Sequence, residues 1–164
     1  MPHNAICGYA ERLGNRHSIY DENGHAEISG LLDVLGGRTA MHEFGPWGDV
    51  HVEIRRPGNF LVRIGQTTSE RRDRFAVAHG IGHYVLHYLY RGENQYVEFA
   101  HTGDEQAEIE ANVFAAALLM PAAHFTTAWT ALHGDLWVLS RRFDVSPLAV
   151  QARAEVLGLA PVGS

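Results

Sequence analysis

The sequence predicts an α+β fold, with a small antiparallel β-sheet, a helical core and a C-terminal helical bundle. Three observations carry this. Val50, Val52 and Ile54 alternate with His51, Glu53 and Arg55, the period of a half-buried strand. Pro57-Gly58-Asn59 then supplies a tight turn into a second apolar run, Phe60 to Ile64. From Glu70 onward the apolar spacing lengthens to a helical period, punctuated by capping residues. Elements in the order helix, strand, then mostly helix point to segregated α+β architecture.

The elements follow in order. Ala5 to Leu13 reads as a short helix, and Asp21-Glu22-Asn23-Gly24 as a turn. His25 to Leu35 reads as a helix, with Ile28, Leu31, Leu32 and Leu35 on one face and Gly36-Gly37 as its stop. Arg38 to Phe44 is the first expected strand. Thr67-Thr68-Ser69 offers N-caps and Glu70 an acidic first turn for a helix running to Leu89. Arg91 to Gly103 reads as a polar loop. Helices are then expected over Asp104–Met120, Ala122–His133, Leu136–Arg142 and Pro147–Leu157. The last has Ser146 at its N-cap, Pro147 at N1 and Gly158 beyond its end. One domain over 1–164 is expected: N-terminal helices in 1–37, the sheet in 38–65, the histidine-bearing helices in 66–121 and C-terminal helices in 122–164.

Composition narrows the function. The 164 residues suit one domain with a real core, and 46% hydrophobic with 20% charged residues is ordinary for a globular protein. No apolar run approaches a membrane span, and Met1-Pro2-His3-Asn4 lacks the features of a secretory signal. The single cysteine, Cys7, fits a reducing cytoplasm, the expected location. A net charge of −6 argues against nucleic-acid binding by the whole domain. All 13 basic residues are arginine, which excludes lysine-based covalent catalysis.

The most informative segment is Arg74-Phe75-Ala76-Val77-Ala78-His79-Gly80-Ile81-Gly82-His83. Residues four apart share a helical face, so His79 and His83 present two imidazoles to one metal ion. A catalytic zinc takes three protein ligands and keeps one position open. The third ligand is expected from Glu108-Ile109-Glu110-Ala111-Asn112. Glu108 is preferred over Glu110, which lies about 200° away around the helix. Asn112, one turn on from Glu108, is placed to orient a ligand histidine from the second shell. His87, two turns from His79, lies off the metal.

At this point the chain resembles the ImmA/IrrE family of bacterial zinc metallopeptidases. The resemblance rests on Arg74 to His79, His83-Tyr84-Val85-Leu86-His87, Glu108 through Asn112 to Pro121, and the tail Leu139 to Ser146. It covers the chain from about Arg38 onward. It implies a gluzincin-like Zn2+ site with His79, His83 and Glu108 as ligands. It also implies regulatory proteolysis of a protein partner, a helix-turn-helix repressor, in a stress or DNA-damage response or in control of a mobile element.

The departure from the family pattern is Gly80. There the H-E-x-x-H motif carries the glutamate that acts as general base on the attacking water. Losing a general base costs ~10²–10⁴ in rate, so peptidase activity is expected to be weak or absent and Gly80→Glu to raise it. Three readings stay open: a pseudopeptidase that binds a partner; a substitute base from Glu98, His101 or Glu110; or deliberate replacement at position 80. Tyr84 and His101 are candidate oxyanion or substrate contacts. Trp47, in a loop, is a candidate substrate contact, and the hairpin strands a candidate edge for an extended peptide. A further alternative makes the C-terminal helices a DNA-binding pair through Arg141, Arg142 and Arg153. Direct DNA contact is disfavoured, because the second of these helices is mostly apolar. Arg71, Arg72 and Arg74 read as a solvated face, and Trp129 and Trp137 as core.

Overall fold

The computed structural model describes residues 1–41, 50–65 and 69–159. The elements are α1 (His3–Arg16), α2 (Ile28–Leu35), β1 (Gly37–Met41), β2 (Val50–Arg56), β3 (Asn59–Ile64), α3 (Glu70–Tyr84), β4 (Val97–Ala100), α4 (Glu105–Leu119), α5 (Ala122–Ala131), α6 (Leu136–Phe143) and α7 (Pro147–Val156). The class is α+β. Phe44, Trp47, Thr67 and Thr68, to which the sequence reading assigned roles, lie outside the described residues. Among the described helices, none alone is long and apolar enough to cross a membrane.

The punctuation follows capping chemistry. Ser69 accepts from Arg72 N at the start of α3, Asp104 from Ala107 N at α4, and Ser146 from Ala149 N at α7. Gly36 closes α2 at φ 90°, in the left-handed region. Residues 25–27 lie outside α2. Asp21 Oδ1 there accepts from Asn23 N and His25 N in a side-chain-stabilised turn, and Ala26 bridges to Tyr20.

The sheet has four strands in the order β1-β3-β2-β4. It is mixed, not wholly antiparallel: β1 runs parallel to β3, while β2 pairs antiparallel with β3 and β4. The hairpin partner β3 inserts between β1 and β2, so a strand opposed in direction to β2 lies parallel to β3. Strand β4 falls inside the segment expected to be loop. Its four residues are too few for a readable alternation, and its pairing with β2 makes it a strand. The β2–β3 hairpin therefore has no free edge, and the outer edge on this side belongs to β4. Across His51 the pairing advances two residues on β2 (Val50 to Val52) against one on β4 (Ala100 to Phe99). That is a β-bulge, which bends a strand and re-aims a side chain.

Helix α3 packs between the sheet and α4. A Cβ on Gly82 would stand 3.1 Å from Phe114 Cδ1 and 3.2 Å from the Ala111 carbonyl, so α4 lies as close as an unsubstituted backbone permits. On the sheet side, a Cβ on Gly80 would stand 2.5 Å from Val62 Cγ2. Glycine inside a helix costs about 1 kcal/mol relative to alanine; here it is the residue that lets α3 reach β3. Beyond Tyr84 the helix widens into a π turn, Val85–Leu89, with Tyr90 N donating to Val85 O at 2.9 Å.

The arginines near α3 hold the fold. Arg74 donates to the carbonyls of Ala26, Phe143 and Asp144, and Arg71 to Ser140 Oγ at 2.9 Å. Arg71 and Arg74 tie α3 to the α6–α7 junction and are not a solvated face, whereas Arg72 is exposed. Arg153 is 2% exposed and donates through Nε to Met120 O, so it cannot meet a phosphate. Trp129 packs against Phe125, whereas Trp137 is 71% exposed and lies outside the core.

Gly80→Ala and Gly80→Glu are therefore expected to destabilise the fold by about 1–3 kcal/mol through overpacking, net of the helix-propensity gain. Adding Val62→Ala, which removes the contacted methyl groups, should recover much of the loss. Chemical denaturation of the single and double variants measures both. Equal stability of Gly80→Glu and the parent chain would show that the helix has room to spare.

Candidate metal centre

Four side chains from three elements converge: His51 of β2, His79 and His83 of α3, and Glu108 of α4. One ligand atom from each lies within 4.8 Å of every other. His51 Nε2 is 3.1 Å from His79 Nε2 and 3.1 Å from Glu108 Oε1. Glu108 Oε1 is 3.3 Å from His79 Nε2 and 3.0 Å from His83 Nε2. Helical spacing puts the two α3 histidines on one face, and Gly82 brings α4 close enough for Glu108 to reach both.

The outer hydrogen bonds set the tautomers. Asn112 Oδ1 lies 2.8 Å from His79 Nδ1 and accepts its proton, leaving the Nε2 lone pair turned inward. His87 Nε2 lies 2.9 Å from Glu110 Oε1. A carboxylate only accepts, so His87 donates there and its Nδ1 carries a lone pair. That Nδ1 is 2.9 Å from His83 Nδ1, so His83 donates to it and its own Nε2 lone pair also faces the cluster. Phe99 of β4 stacks on the His83 ring at 4.5 Å and screens it from water.

The electrostatics agree. Burial, then the proximity of His79, lowers the His83 pKa to about 3, so the ring is neutral. For Glu108, burial pushes the carboxyl up, but the closeness of His79, then of His83 and His51, outweighs it and holds the pKa at about 2. Three imidazoles, with His83 held neutral, and an ionised carboxylate converging on one point are a donor set for a divalent cation. A tetrahedral zinc with bonds of about 2.0–2.1 Å sets its ligand atoms roughly 3.3 Å apart, and the 3.0–3.3 Å contacts around Glu108 and His79 match that spacing.

The structure thus brings His79, His83, Glu108 and Asn112 together as the sequence reading grouped them. Gly80 points at Val62 rather than into the cluster. Tyr84 stands apart from the site: its hydroxyl accepts from Gly58 N at 2.8 Å and its ring stacks on Phe60, so it anchors the β2–β3 turn. His101 lies at the mouth, 62% exposed, stacked on His51 at 3.9 Å, with Nδ1 3.7 Å from Glu108 Oε2. Of the substitute bases, Glu110 is committed to His87, to Gln106 and to the Met1 ammonium at 2.9 Å. Glu98 is exposed and accepts from Tyr96 OH.

Sequence reasoning missed His51 and the role of His87. Strict alternation assigns His51 to the polar face of β2, and only the bulge turns it inward. His87 does lie off the metal, but as an orienting partner of His83. Removing such an outer contact typically costs 10–100-fold in metal affinity. His87→Phe and Glu110→Gln should each weaken zinc binding by that order while leaving far-ultraviolet circular dichroism unchanged, as chelator competition would show. Unaltered affinity in both variants would remove the relay from the account.

The comparisons with known proteins agree with this geometry. The IrrE N-terminal-like domain family, Peptidase_M78, matches residues 33–155, three-quarters of the chain. No curated protein matches it. Among solved structures, the chain shares a fold with a Mycobacterium tuberculosis transcriptional regulator at a TM-score of 0.63 and 17% identity. The match covers 93% of this chain and 46% of the regulator, so the chain spans less than half of that protein's length. With the histidine pair, the partner carboxylate and the match to residues 33–155 in place, the chain belongs to the Peptidase_M78 family of IrrE N-terminal-like domains.

Proposed function

We propose that this domain holds zinc through His79, His83 and Glu108 and acts by binding a protein partner, with peptide hydrolysis weak or absent. One observation carries the reading. The position that bears the general base in an H-E-x-x-H peptidase is Gly80, and its missing side chain is aimed at Val62, where a Cβ would approach to 2.5 Å. The base is absent and the fold has closed over its place. Of the substitutes, Glu98 and Glu110 are engaged elsewhere, and His101 is stacked on His51 at the mouth, with Nδ1 3.7 Å from Glu108 Oε2. The expected gain from Gly80→Glu alone is accordingly revised. A Cβ at this position meets Val62, which must shift or be reduced to admit it.

The partner class in this reading is a helix-turn-helix repressor or related regulatory protein in the cytoplasm, which membership in the IrrE N-terminal-like family supports. A peptide adding a strand here meets the outer edge of β4, which flanks the histidine cluster through Phe99. The DNA-binding alternative is weaker, since Arg153 is buried and α7 exposes Leu148 and Val156.

The test joins metal content to turnover. Elemental analysis should give about one zinc per chain, lost in His79→Ala. Incubated with a captured regulatory partner, the zinc-loaded protein should return it intact. Fragments of the partner from the parent chain, absent with His79→Ala, would establish hydrolysis and overturn the silent-site reading.

A further inference from the structure

The geometry points to His51 as a fourth protein ligand, which makes this a closed, structural metal centre rather than an inactive copy of an open one. The inference rests on the reading that the cluster holds a divalent metal, and it goes beyond the three-ligand set. The difference is chemical. A catalytic zinc site keeps one position for water or substrate, whereas a structural site fills all four with protein.

His51 Nε2 stands at ligand-to-ligand distance from two other donors, 3.1 Å from both His79 Nε2 and Glu108 Oε1. A histidine acting through an intervening water would stand a further water diameter out. Its ring is 6% exposed and packs 5.1 Å from the His79 ring and 5.2 Å from the His83 ring, on the side of the cluster nearest the sheet. His101 stacks on its outer face at 3.9 Å and 8°, bracing the ring where a substrate would enter. The β2 bulge supplies the backbone cause, because the extra residue in the β2–β4 pairing is His51 itself. The resulting set of three imidazoles and one carboxylate comes from β2, α3 and α4, so a bound ion would cross-link the sheet to both central helices.

Cobalt(II) substitution of the full chain tests this without reference to activity. Its visible spectrum reports coordination, and azide adds to cobalt only where a position is open to solvent. The parent protein should take up one cobalt, show a four-coordinate spectrum and stay unchanged in excess azide. His51→Ala should bind cobalt more weakly and shift its spectrum on adding azide. An azide response from the parent protein as large as that of His51→Ala would overturn the fourth-ligand assignment while leaving the metal site standing. Failure of the parent to take up cobalt or zinc at all would overturn both.

Discussion

Helix α3 lies close to both its neighbours, with Val62 where a Cβ on Gly80 would stand and only tight space for one on Gly82, and the site depends on that approach. Toward α4, the missing Cβ of Gly82 leaves the helices separated by little more than backbone contact with Ala111 and the Phe114 ring. This brings Glu108 within 3.3 Å of two imidazoles and Asn112 within 2.8 Å of one. Toward the sheet, the missing Cβ of Gly80 lets α3 settle on Val62 and places His79 against His51. The glycine that deletes the general base is thus also the glycine that permits the approach.

Around that contact the polar groups are arranged in shells. Four donors face inward, and each α3 histidine is held from behind, His79 by Asn112 and His83 by the His87–Glu110 pair. Buried polar groups without partners are costly, and these hydrogen bonds remove the cost while leaving the Nε2 lone pairs of both histidines aimed at one point. The π turn at Val85–Leu89 contains His87, and π turns often mark functional segments of helices. Phe99 and His101 close the outside, one stacked on His83 and the other on His51. A cluster so enclosed suits retention of an ion better than exchange with substrate.

Family membership does not by itself fix the chemistry of the site in this chain. The match over residues 33–155 places it among the IrrE N-terminal-like domains, while the individual residues decide what the fold can still do. The residues that could hold a metal, His79, His83 and Glu108, also tie α3 to α4. Position 80 carries no side chain, and Val62 packs against it.

The sequence by itself determined what is local. Helical spacing identified His79 and His83 as a pair, the i, i+4 relation chose Glu108 with Asn112, and capping residues such as Ser69, Asp104 and Ser146 marked where helices begin. The tertiary structure alone decided what depends on non-local pairing. Strand β4 exists because β2 offers it an edge, β1 is parallel because β3 intervenes, and Arg71 and Arg74 bond to the α6–α7 junction. His51 is the sharpest case. Period-two alternation assigns it to the polar face, and a bulge formed by pairing with residues nearly fifty positions later turns it into the cluster. No pattern within a single strand records a bulge imposed by its neighbour, because the extra residue is defined only by the register of the two strands together.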